Sequence, residues 1–89
     1  GGGIAEIVGQ KMRELGKQKQ VLCVTHLPQV ASLGHHHLLV KKDNDKDNTW
    51  TQITPLDQKE RVGEIARMLG GLKITDQTLA HAEEMLDHD

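Results

Sequence analysis

The stretch from Val21 to Ala31 constrains the fold of this 89-residue chain more than any other part. It begins with four consecutive apolar residues, 21–24, a pattern typical of a strand buried on both faces of a sheet. The polar pair Thr25-His26 follows, and Pro28 then favours the first turn of a helix. Because ligands bind at the carboxyl ends of strands in open α/β sheets, Thr25 and His26 are expected to lie at a ligand-binding edge.

The residues before this stretch predict a helix that leads directly into the strand. Apolar residues at helical spacing predict a helix over 4–15, with a close packing contact at Gly9 and a left-handed terminator at Gly16. The central strand is expected over 20–25. A helix followed at once by a buried strand is half of a βαβ unit, so the other strand of the unit is expected before Gly1.

The second half of the chain is predicted to form a short helix, a β-hairpin and two longer helices. The short helix is expected over 28–33, and the hairpin strands over 37–42 and 49–54. A capping box at 57–60 starts the next helix, and a last helix, capped by Thr75 or Asp76, reaches about Asp87. The predicted fold class is therefore α/β, in the order helix, strand, short helix, β-hairpin, helix, helix.

Composition limits the classes of protein that fit. The net charge of −2 and the pI of about 6.3 argue against a strongly basic nucleic-acid-binding face. The single cysteine, Cys23, excludes an internal disulfide and a cysteine-based zinc cluster, and its apolar neighbours predict a small buried side chain. No apolar stretch approaches the roughly 20 residues of a membrane span.

Two motifs suggest metal binding, and each has a simpler interpretation. The loop 43–47 has Asp at alternate positions, as a calcium loop does, but Asn48 and Thr54 stand where that loop needs Gly and Glu, so a solvated hairpin tip is expected. His35–His37 are adjacent in sequence, and neighbouring strand residues point to opposite faces, which disfavours convergence on one ion. A metal-binding protein built on this cluster stays an alternative, but the favoured interpretation assigns no residue as a metal ligand.

The stretch 21–31 resembles the switch-histidine segment of ABC-type ATPases, and more narrowly that of the RecN family, SMC-like proteins of bacterial DNA repair. Residues 2–9 resemble the segment after this family's Walker B carboxylates and D-loop, and residues 67–75 resemble its C-terminal helices. The resemblance implies a C-terminal lobe of an ABC/SMC-type P-loop ATPase head. It also implies that His26 contacts the γ-phosphate of ATP and helps to arrange the attacking water.

The resemblance further implies what the longer parent protein does. That protein would be an ATPase acting in recombinational double-strand break repair, with ATP and Mg²⁺ as cofactors. Its expected partners are the N-terminal half of its own head, a second head in an ATP-sandwiched homodimer, and DNA. The expected location is the bacterial cytoplasm, in association with the nucleoid and not with a membrane.

The sequence also departs from the family pattern. It has no Gly-rich Lys-Ser/Thr phosphate loop, Walker B Asp-Glu pair, signature motif or coiled-coil heptads. Residues 1–89 are therefore expected to be a single partial domain that binds no nucleotide, lacks activity alone and self-associates. Residues 1–3 are expected to be a truncated glycine turn or an addition from cloning.

The sequence leaves a second alternative function and assigns no residue to DNA binding. A small independent protein-binding module is the second alternative, beside the histidine metal protein. No DNA-binding residue is assigned, because Lys41, Lys42 and Lys46 alternate with acidic residues at the expected hairpin tip.

Overall fold

The computed structural model describes residues 2–88, which form a mixed α/β fold. Gly1 lies outside the described residues, whereas Gly2 and Gly3 belong to the first helix. The elements are α1 (Gly2–Gly16), α2 (Pro28–Ala31), β1 (Leu38–Asn44), β2 (Thr49–Pro55), α3 (Gln58–Gly70) and α4 (Asp76–Leu86).

The starts of α3 and α4 follow from side-chain caps, as predicted. The Asp57 carboxylate accepts a hydrogen bond from Glu60 N at 2.8 Å, and the Glu60 carboxylate accepts one from Asp57 N at 3.0 Å. Thr75 Oγ1 accepts a hydrogen bond from Thr78 N at 3.1 Å and so caps α4. These bonds satisfy backbone donors that have no partner inside a helix. Between the two helices, Gly71 adopts φ 65°, a conformation that favours glycine.

The core lies between α3 and α4. Ile65 and Ala66 of α3 pack with Ala82 and Leu86 of α4, and the first three of these side chains are completely buried. Alanine contributes to both faces of this small core, and within residues 2–88 Ile65 is the only large side chain that is fully enclosed. Ala31 packs against this core and joins α2 to it.

Helix α1 packs against α2 at the glycine predicted to make a close contact. A Cβ built on Gly9 would lie only 2.6 Å from Leu33 Cδ1, so a larger residue there would force the buried Leu33 side chain to move. The prediction that Gly16 ends the helix in a left-handed conformation is wrong. Gly71 is the only glycine with positive φ among residues 2–88, and the chain leaves α1 through further turns, in which Lys17 N donates to Glu14 O.

The β-hairpin forms as predicted, with each strand one residue longer than expected; β1 begins one residue later and ends two residues later than predicted. The strands are antiparallel, in a register that pairs Leu38 with Pro55 and Asn44 with Thr49. At the tip, Asp45 Oδ1 accepts hydrogen bonds from Asp47 N at 3.0 Å and Asn48 N at 2.9 Å. The alternating acidic loop is thus an exposed turn in which one carboxylate binds the backbone of its own loop.

The predicted central strand is wrong, because residues 20–25 form no strand. Leu22 is 82% exposed and Val24 is 95% exposed. The expected burial of Cys23 is also wrong, since its side chain is exposed. A strand needs a neighbour to take its backbone hydrogen bonds, and the two strands found within residues 2–88 pair with each other.

Candidate functional site

His26 lies on a short turn between the irregular segment 20–25 and α2. Leu27 N donates a hydrogen bond to Thr25 Oγ1 at 3.0 Å, which closes the turn beneath the histidine. Leu27 then has extended backbone angles, and Pro28 begins α2, as predicted. The side chain of His26 is exposed, and no hydrogen bond or ion pair to another side chain in residues 2–88 engages its imidazole. The ring is therefore available to a ligand.

The C-terminal end of α2 presents four backbone carbonyls, those of residues 31–34, which we call the carbonyl cluster. Arg61 Nη2, from α3, donates to Ala31 O at 3.1 Å, to Ser32 O at 3.4 Å and to Gly34 O at 2.5 Å. A single guanidinium nitrogen from α3 thus binds three of the four carbonyls of the cluster.

Two further side chains bind the same cluster. Arg13 Nη1, from α1, donates to Leu33 O at 2.7 Å, and His88 Nε2, just after α4, lies 2.8 Å from Ser32 O. Carbonyls at a helix C-terminus carry partial negative charge, which cations stabilise. The turn after α2 is therefore tied to α1, to α3 and to the end of α4.

Arg61 is a site residue that the sequence pattern did not predict. A signal was present, because Arg61 lies four residues before Ile65 and so shares the buried face of α3. A charged residue at that spacing is almost never buried unless it is paired or hydrogen-bonded. Arg13 and His88 gave no comparable signal, since their role depends on how α1 and α4 pack.

Burial shapes the electrostatics around Arg61. Burial, and then the nearby charge of Arg13, lower the pKa of Arg61, although an arginine remains charged at physiological pH. His37 lies nearby, and its pKa is lowered by burial and then by Arg61, while Glu64 acts in the opposite direction. His37 Nδ1 and Arg61 Nε are both buried without a hydrogen-bond partner.

The three histidines 35–37, which are the alternative metal centre suggested by the sequence, do not converge on one point. His35 and His36 are exposed, whereas His37 is half-buried and leads into β1. In the part of the chain that the structure describes, no three His, Cys, Asp or Glu side chains come together in a way that could hold a metal ion. The alternative of a histidine metal centre therefore has no ligand set in residues 2–88.

None of the helices within residues 2–88 is both long and apolar enough to cross a membrane.

The chain is similar over nearly its whole length to bacterial proteins named DNA repair protein RecN. It is 54% identical over 85 residues to the one from Vibrio cholerae and 52% identical over 86 residues to the one from Haemophilus influenzae. It is 41% identical over 85 residues to the one from Bacillus subtilis. These alignments cover 96%, 97% and 96% of this chain, respectively, but 15% of each relative, so the chain spans about 15% of the length of the curated relatives it matches. No protein-family model matches the chain.

Proposed function

Because the chain belongs to the RecN family, as a C-terminal fragment, we propose that it supplies the switch histidine, His26, of an ATPase that acts in DNA repair. The full protein would bind and hydrolyse ATP in an ABC/SMC-type head and act in recombinational repair of double-strand breaks. Its relatives carry the name DNA repair protein RecN, which supports the repair role.

The exposed position of His26 on its turn is the observation that best supports this role. Its imidazole is exposed on a turn closed by Thr25 and followed by Pro28, and no side chain of residues 2–88 competes for it. An imidazole N–H presented in this way fits a phosphate oxygen, to which it can donate a hydrogen bond. In phosphoryl transfer, the protein acts mainly by positioning groups and by stabilising charge. His26 would therefore orient the γ-phosphate and the attacking water, and would form no covalent bond.

The other members of the catalytic set are expected outside this chain. The sequence lacks a phosphate loop and a Walker B pair, so the residues that hold ATP and Mg²⁺ would come from the rest of the protein. When bound, Mg²⁺ would neutralise charge on the phosphate groups. The isolated chain is accordingly proposed to bind no nucleotide and to have no ATPase activity.

The same proposal gives the segment 20–25 a role. Its apolar residues would become a strand when the N-terminal half of the head supplies neighbouring strands on both sides. The exposure of Leu22 and Val24 supports this, since both would be covered in a sheet flanked by helices. A second head would complete the ATP site, and DNA would bind through the parent protein, in the bacterial cytoplasm at the nucleoid.

The test is ATP turnover in the full-length RecN protein that contains this segment. His26→Ala should lower kcat by about 10²-fold, the usual effect of removing one hydrogen-bond donor to a developing charge, and should change ATP affinity much less. His36→Ala is the matched control, because His36 is an exposed histidine of the same chain. Unchanged turnover in His26→Ala, measured in protein that still binds ATP, would show that the assigned role is wrong.

A further inference from the structure

Three side chains bind the carbonyl cluster at the end of α2, and we propose that Arg61, which binds three of its four carbonyls, is a positioning residue for His26. This inference depends on the function proposed for His26. Arg61 does not approach the ligand in this role. It fixes the short helix that carries the histidine turn.

A continuous path of hydrogen bonds joins the two residues. Arg61 Nη2 donates to Ala31 O at 3.1 Å, and Ala31 N donates to Leu27 O at 2.9 Å. Leu27 N in turn donates to Thr25 Oγ1 at 3.0 Å. His26 lies between Thr25 and Leu27 in the chain, so a shift of Ala31 would move the backbone that carries the imidazole.

The helix between them is too short to be stable alone. Isolated helices shorter than about 12–15 residues are marginal in water. α2 has four residues, and the side chain of its N-cap residue, Leu27, makes no capping hydrogen bond. Its geometry must therefore come from tertiary contacts, which are the packing of Ala31 on the core, the packing of Leu33 on Gly9 and the hydrogen bonds made by Arg61, Arg13 and His88.

Arg61 is the best placed of the three to set that geometry. It extends from α3 one turn before Ile65, which is completely buried, so its backbone belongs to a helix that forms the core. The residue itself is only 8% exposed. A lysine has a stem one atom shorter than the one that carries Nη2, so its ammonium nitrogen could not reach the same three carbonyls at the same distances.

A double-mutant cycle in the full-length protein separates positioning from simple stabilisation. Arg61→Ala empties a buried site and is expected to disturb folding, so Arg61→Lys is the variant of choice. It should lower kcat by about tenfold, as a small misplacement of a catalytic group does, with ATP affinity changed by less than about threefold. In the His26→Ala background it should lower kcat no further, because the residue it positions is gone. Arg67→Lys is the control, since Arg67 lies on the same helix but is exposed and pairs with Glu64.

A second measurement on the same protein does not involve ATP. Amide hydrogen exchange over residues 27–34 should be faster in Arg61→Lys than in Arg67→Lys, and Arg13→Ala should act in the same direction. Unchanged exchange, or Arg61 and His26 effects that multiply independently, would overturn the inference while leaving the role of His26 intact. A normal kcat in His26→Ala alone would instead overturn the proposed function, and the inference with it.

Discussion

At the scale of single residues, His37 has an unusual environment for a histidine that leads into an exposed hairpin. Its Nδ1 is buried without a hydrogen-bond partner, and burial, followed by the charge of Arg61, lowers its pKa. The neutral form is therefore favoured in the folded chain. Since the unfolded chain binds the proton more readily, stability should fall as the pH drops below about 6.5, the ordinary value for histidine, and through the lower pKa of the folded state.

This dependence can be measured by thermal or urea unfolding at a series of pH values. His37→Gln should show a smaller loss of unfolding free energy between pH 7 and 5 than the unmodified chain, because glutamine does not titrate. His36→Gln, at an exposed neighbouring position, should retain the dependence of the unmodified chain. Identical pH profiles for His37→Gln and the unmodified chain would contradict the assignment.

Gly9 and Gly63 give a second prediction, since both lie inside helices but in different surroundings. A Cβ on Gly9 would lie 2.6 Å from Leu33 Cδ1, and Leu33 is 4% exposed and has little room to move. A Cβ on Gly63 would have no neighbour within 4 Å. Gly9→Ala should therefore lower the free energy of unfolding by about 1 kcal/mol. The cost of overpacking, about 1–3 kcal/mol, exceeds the gain in helix propensity of about 1 kcal/mol.

Gly63→Ala is the matched control, and it should gain about 0.5–1 kcal/mol of unfolding free energy from helix propensity alone. Urea unfolding of the two variants gives both values. If Gly9→Ala stabilised the chain as Gly63→Ala does, the close packing of α1 on Leu33 would be wrong.

At the scale of elements, the parts of the fold that sequence predicted are those whose cause is local. The caps at Asp57 and Thr75 bind backbone amides within three residues, so their sequence pattern is sufficient. The hairpin likewise needs only a turn between two strands of matching length. The start of α2 at Pro28 and its closeness to His26 follow from the same kind of signal.

The elements that sequence missed depend on distant parts of the molecule. The apolar run 21–24 predicts a buried strand, but a strand forms only where neighbouring strands pair with its backbone N–H and C=O groups. Arg61 was missed for a related reason, since its partners are carbonyls 27 to 30 residues away in the chain. Periodicity shows that a side chain faces inward, but not what it meets there. Because residues 20–25 form no strand, His26 does not lie at a strand edge in this chain, and its proposed role depends on the turn geometry and on the family.

At the scale of the whole molecule, the chain exposes more surface than its size requires. Its accessible surface is 7060 Å², whereas a compact monomer of 9.9 kDa is expected to expose about 5,200 Å². Its radius of gyration is 14.3 Å, against about 12 Å for a compact domain of this length. Exposed apolar side chains lie on α1 and on the segment 20–25, where Ile4 is 70% exposed and Val24 is 95% exposed, and others lie on the hairpin and in the α3–α4 loop. Surface of this kind marks an interaction site or promotes association.

The isolated chain should therefore self-associate, and the segment 20–25 should contribute to it. Light scattering at increasing concentration should show a rising mean mass. Val24→Asp should shift that rise to higher concentration without lowering the unfolding temperature, because the side chain contributes almost nothing to the folded core. Leu72→Asp is the control, since Leu72 is an equally exposed apolar residue in the α3–α4 loop. A constant monomer mass at high concentration, or equal effects of the two substitutions, would show that the segment 20–25 does not drive association.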